Sequence, residues 1–173
     1  MPSVLKTISQ KIDSLNNRLG KILLWLSLLL VLLQFALVIM NHVFHIGFIG
    51  LQELLFYLNS LMFLGGAGYT LLHDEHVRVD VFYRDATKKT KHLINLFGSL
   101  LLLFPVLFLV WLTATPFVFK SWQVFEGSIE TSGIPAVFIL KTFILLFALS
   151  LTAQGLSITF KAFSGILEGE THD

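Results

Sequence analysis

Few side chains in this sequence are of a type and spacing that could do chemistry, and they stand apart from one another. His42 with His45, and His73 with His76, share the i, i+3 spacing that would place two imidazoles on one helix face for a metal. The pairs flank a single apolar stretch and so fall on opposite sides of it, and neither has a third ligand at a metal-site spacing. None of the six histidines lies within an apolar run, whereas a bis-histidine haem would want them inside facing helices. With no cysteine there is no disulfide, thiolate metal site or dithiol redox pair. No phosphate-cradling glycine loop and no nucleophile elbow is present. The expectation is a chain that is not an enzyme and holds no cofactor of its own.

Two ionisable residues remain. Glu53 sits at the edge of one apolar stretch, and Lys141 sits roughly 10 Å inside another at ~1.5 Å rise per residue. A lysine at that depth must place its charge somewhere. Helix side chains lean toward the N-terminus, so Lys141 can snorkel outward or pair with Glu53. The amides Gln34, Asn59 and Gln154 read as interhelical hydrogen-bond partners rather than ligands.

The elements that carry these residues follow from composition. The chain has 173 residues, of which 55% are hydrophobic and only 13% charged, with a mean hydropathy of +0.79. That is too apolar for a soluble domain of this size. Apolar runs over 22–40, 51–72, 93–119 and 134–160 each reach the roughly 17 to 25 residues that cross ~30 Å of hydrocarbon as a helix. The expected fold is an all-α membrane protein of four transmembrane helices in one domain, with a loop over 73–92, a tail over 161–173, and no room for a soluble catalytic domain.

Charge placement sets the expected orientation. Lys6, Lys11, Arg18 and Lys21 precede the first span, and Arg78, Arg84, Lys88, Lys89 and Lys91 lie between spans two and three. By the positive-inside rule both segments and the C-terminal tail are cytoplasmic, and the basic-poor connections face outward. Lys21, Lys88, Lys89 and Lys91 then lie at lipid headgroup level, so membrane lipids are expected partners and nucleic acid is not. Over 3–20, Val4, Leu5, Ile8, Ile12, Leu15 and Leu19 recur at helical spacing, which predicts an amphipathic helix lying on the inner membrane surface or docked on a neighbour.

Within span two, Gly65-Gly66-Ala67-Gly68 should mark a tight helix contact, because small residues let backbones approach. Pro105 and Pro116 predict a kink at one or both places. A bundle this small has more apolar surface than its core can use, so its outer faces are expected to include a partner-binding surface.

The stretch His73-Asp-Glu-His-Val-Arg-Val-Asp-Val-Phe-Tyr83 resembles the small membrane subunit of tripartite ATP-independent periplasmic (TRAP) transporters, which carries a His-Val/Ile-x-Val-Asp signature after its second span. The resemblance extends over Gly65 to Thr70, Lys88-Lys89-Thr90-Lys91, Gly98-Ser99, Ser121-Trp122-Gln123, Gly133-Ile134-Pro135 and Lys141, covering 50–163 in order. It places the signature on Val77, Arg78, Val79 and Asp80, where Arg78 and Asp80 can make charge-assisted bonds to neighbours, partner subunit or lipid phosphate.

The resemblance implies an accessory subunit of a heteromeric secondary transporter in a bacterial inner membrane. A large membrane subunit would hold the substrate and sodium sites and move as an elevator, and this chain would brace its static scaffold. A periplasmic binding protein would deliver an anionic substrate, commonly a carboxylate. The Phe82-Tyr83 variant is closer to carboxylate- or keto-acid-type members than to the sialic acid group. The competing expectation is a stand-alone four-span carrier acting as a homo-oligomer. Against it, span one has no carboxylate, and the one carboxylate in any span, Glu53, lies at a membrane edge.

Overall fold

A computed structural model describes residues 2–73 and 86–169, and every element in them is helical. The order is α1 (Pro2–His42), α2 (Ile49–Leu72), α3 (Lys88–Gly98), a π turn (Ser99–Leu103), α4 (Phe104–Gln123) and α5 (Val137–Gly169). Four of the resulting rods, Leu5–His42, Ile49–Leu72, Lys89–Gln123 and Val137–Ile166, are long and apolar enough to cross a bilayer. The chain is thus a four-span all-α membrane protein.

The rods run up, down, up, down. One end of the bundle gathers the N-terminus of α1, the C-termini of α2 and α5 and the start of α3, with Lys6, Lys11, Arg18, Lys21, Lys89, Lys91 and Lys161. The other end carries the connections 43–48 and 124–136, with Glu126 and Glu130.

The helices do not form a symmetrical ring. α5 packs against every other helix, α1 and α2 pack on each other and on α5, and the α3–α4 backbone approaches α5 alone among these helices. α5 can be shared this way because its inward residues are small or slender: Ala148, Ser150, Ser157, Ala162 and Ser164 are all buried. Leu37, Leu55, Leu107 and Leu151 are buried with them, but many large apolar side chains of the other helices face outward, among them Trp25, Phe35, Phe56, Phe63, Leu102 and Phe108. Such an arrangement suits a solvent as apolar as the side chains, where packing rather than hydrophobic burial associates helices.

Three features depart from the expectations. First, the segment 3–20 is not a separate interfacial helix: α1 is one uninterrupted helix of 41 residues. Of its apolar stripe, Ile8 and Leu15 are exposed and Leu5, Ile12 and Leu19 half-buried, while Ser9, Asn16 and Gly20 are fully buried, so the innermost face is the polar one. The reason lies in α5, which runs on to Gly169 and offers this part of α1 a matching polar face. Second, α5 therefore carries helix well into the segment expected as a tail.

Third, the disturbance at Pro105 is a π turn just before it, where the Phe104 N–H reaches back to the Ser99 carbonyl. Proline lacks the N–H and crowds the carbonyl four residues back, and the wider turn relieves this. Pro116 lies inside α4, which continues through it.

The small-residue run does its packing through two of its three glycines. A β-carbon on Gly68 would stand 3.0 Å from Asn16 Oδ1 and 3.1 Å from Ser150 Cβ, and one on Gly65 would stand 3.4 Å from Leu23 and 3.5 Å from Leu146. Gly66 would reach only Leu23, at 3.9 Å. Gly68 is therefore where α2 is wedged between α1 and α5. Gly68→Leu should destabilise the bundle by about 1–3 kcal/mol through overpacking, whereas Gly66→Ala should be nearly neutral; thermal unfolding in detergent measures both.

Candidate functional site

Two polar clusters, one toward each end of the bundle, concentrate the charged contacts among the described residues. At the basic end, Ser9, Asp13 and Asn16 fall on one face of α1, and Gln154, Ser157 and Lys161 fall on the facing side of α5. Asn16 Nδ2 donates to Gln154 Oε1 at 2.7 Å, and Gln154 Nε2 donates to Asp13 Oδ1 at 3.1 Å. Ser157 Oγ donates to the same Asp13 oxygen at 2.7 Å, and the Ser9 and Ser157 hydroxyls lie 2.7 Å apart. Lys161 closes the seam by an ion pair to Asp13 Oδ2.

Gln154 is 1% exposed and both ends of its amide are used. Buried amides and carboxylates are tolerated when hydrogen-bonded, and here the Gln154 oxygen and nitrogen each have a partner and Asp13 accepts from Gln154, Ser157 and Lys161.

The same face-by-face logic extends around α5. Thr159 Oγ1 lies 2.9 Å from Ser99 Oγ beside the π turn, and Trp111 Nε1 donates to Thr152 Oγ1 at 3.2 Å. Trp122 Nε1 donates to Thr142 Oγ1 at 2.9 Å. Each threonine also returns its hydroxyl to a carbonyl four residues earlier in α5 (Phe138, Ala148 and Gly155), which aims it.

At the opposite end the connection 124–136 is tied down by two charges. Glu53 accepts from Ser128 Oγ with one oxygen and from the Ile134 N–H at 2.5 Å with the other. Lys141 Nζ pairs with Glu126 Oε2 at 2.5 Å and stands 4.2 Å from the centre of the Phe117 ring. The Glu53 to Lys141 pair is therefore not formed. The connection folds back between them and supplies each charge with a nearer partner, since Lys141 leans toward the start of α5 and so toward Glu126. The Lys141 ammonium, bonded to Glu126, holds that carboxyl below its ordinary value. Gly133 is required at the tie, because a β-carbon there would lie 2.6 Å from Glu53 Oε1 and collide with Ser128.

The remaining expected residues are spread out. Asn59 and Gln34 are exposed on the outside of α2 and α1, and Lys21 and Lys89 are exposed at the basic end, where Lys88 opens α3 and Lys91 follows one turn later. Val77, Arg78, Val79 and Asp80 lie outside the described residues. No three His, Cys, Asp or Glu among the described residues are grouped as a metal site would require. Sequence reading passed over Ser9, Asp13, Asn16, Ser157, Lys161, Glu126 and Ser128. The i, i+4, i+7 spacing of Ser9, Asp13 and Asn16 was a usable signal, but it stood in a segment whose apolar stripe suggested the opposite face inward.

With this geometry in hand, comparison with known proteins decides the family. The family described as tripartite ATP-independent periplasmic transporters, DctQ component, matches residues 30–165. The chain belongs to that family. Comparisons with curated proteins and with solved structures give no match. The matched span of this DctQ-family chain takes in Glu53, Lys141 and Gln154, and it leaves outside both the α1 half of the seam and the last turn of α5.

Both clusters can be tested. The Asp13–Lys161 coupling should measure about 0.5–1.5 kcal/mol in a double-mutant cycle on thermal unfolding, with Asp13→Asn retaining more stability than Asp13→Leu. At the other end, a carboxyl whose value is lowered in the folded state contributes stability that is complete above the ordinary value of 4.5 and is lost as pH falls through the lower folded-state value. Glu126→Gln should flatten that acid limb by lowering stability at neutral pH toward its acid value, as followed by unfolding temperature against pH.

Proposed function

We propose that this DctQ-family chain is the small accessory subunit of a TRAP-type importer, bracing a larger membrane subunit that performs the transport. The observation that carries the reading is the state of its charges. Asp13 and Glu53, the carboxylates placed on helices among the described side chains, are each held by several donors of the same chain, and Lys141 and Lys161 are each paired within it. An ion or substrate path needs groups that can exchange partners. Here they fix helices to one another, which is what a scaffold requires.

In this reading the protein lies in a bacterial inner membrane with the basic end cytoplasmic, following the charge bias. The large subunit contains the substrate and sodium sites, and a periplasmic binding protein delivers an organic anion, a carboxylate by the resemblance of the segment after span two. The chain contributes no catalysis and no bound cofactor. Arg78 and Asp80 would contact the large subunit or lipid phosphate at the cytoplasmic end of span two.

Co-expression with the large subunit should give a stable heteromer, and its uptake of carboxylate into proteoliposomes should need a sodium gradient and the binding protein. A large subunit that folds and transports at full rate without this chain would rule out the bracing role, and a homodimer with flux of its own would establish the carrier instead. Arg78→Ala or Asp80→Ala should lower heteromer yield more than apparent substrate affinity. Because the chain lacks cysteine, single cysteines test the orientation directly: Gly47→Cys should react with an impermeant maleimide in cells with a permeabilised outer membrane, and Lys89→Cys only once the inner membrane is opened.

A further inference from the structure

The outer surface between α1 and α2 differs from the rest of the apolar exterior. A groove of about 910 Å³ runs there, walled by Phe35, Leu55 and Phe56 and lined along its length by the amides of Gln34, Gln52 and Asn59. All three amides are exposed, and no described side chain or backbone group bonds them. Asn59 lies ten residues into α2, about 15 Å from its start, and Gln34 eight residues before the end of α1, about 12 Å from it. Both are therefore deep in a hydrocarbon layer of ~30 Å. An amide left without partners in hydrocarbon costs several kcal/mol, so the groove as it stands is incomplete.

The depth and chemistry of the amides select the occupant. Lipid tails offer neither donor nor acceptor, and phospholipid headgroups lie too far toward the water to reach Asn59. A helix crossing the membrane can present a hydroxyl or amide at that depth, together with small residues that let it settle between Phe35 and Phe56. Resting on the accessory-subunit reading, we propose that the α1–α2 groove is the seat of a transmembrane helix of the large subunit, which bonds Asn59 and Gln34 through a polar side chain near mid-membrane. The α3–α4 face, whose exposed threonine Thr113 is already bonded to its own helix, faces lipid in the assembled transporter.

The test uses the full heteromer in native membranes. A photoreactive phenylalanine analogue at position 34 or 59 should crosslink to the large subunit, and the same analogue at Phe108 on α4 should not. The lipid-compatible double variant Gln34→Leu/Asn59→Leu should weaken retention of the large subunit about tenfold, the loss expected for one or two interhelical hydrogen bonds, while the chain alone keeps its unfolding temperature. Crosslinks only to a second copy of this chain or only to lipid, from an intact heteromer, would overturn the proposed seat and leave the accessory role standing. Failure of the unsubstituted chain to form any heteromer would overturn both.

Discussion

Four helices in a hydrocarbon solvent gain nothing from hiding apolar surface from their surroundings, so this protein depends on α5 being narrow enough, and polar enough, for the others to reach. Ala148, Gly155 and Ala162 give the approach, and Lys141, Thr142, Thr152, Gln154, Ser157, Thr159 and Lys161 give the bonds. Interhelical hydrogen bonds in membranes are individually worth only about 0.6–2 kcal/mol, so a bundle held this way needs many of them spread along its length. α5 aims Gln154, Ser157 and Lys161 at α1, and Thr142, Thr152 and Thr159 at α4 and the π turn.

The same requirement explains the two ends. Where the helices leave the apolar layer, water would compete for any polar contact, and ion pairs with extra hydrogen bonds persist better than single neutral bonds. Asp13 with Lys161 at one end and Glu126 with Lys141 at the other have that character, and Glu53 adds a carboxylate clamp on a backbone N–H. The connection 124–136, with its left-handed residue at Phe125, is thereby held against the bundle.

An exterior made almost wholly of Leu, Phe, Val and Ile is an ordinary lipid face. Against that background an unbonded amide at mid-depth is conspicuous because the solvent around it cannot satisfy it. The α1–α2 groove places two at that depth, Gln34 and Asn59, with Gln52 nearer the start of α2, whereas both ends of the Gln154 amide are bonded in the seam inside the bundle. The contrast separates polar groups that serve this chain's own fold from those directed outward.

By itself the sequence determined the solvent, the number of spans and the up-down order, because these depend only on the length of apolar runs and on which connections carry lysine and arginine. It also marked the tight contact at Gly65 to Gly68 and carried enough of a family pattern, from Gly65 to Lys141, to point to the DctQ component that the family match established. The tertiary structure alone decided which face of α1 turns inward, because the spacing of Ile8 and Leu15 suggests an apolar inward face, and only the facing Gln154, Ser157 and Lys161 favour Ser9, Asp13 and Asn16. It likewise decided the partner of Lys141: depth along a helix says that a charge needs an opposite charge, but the choice of Glu126 over Glu53 is made by a connection that folds back, and no local pattern encodes that return.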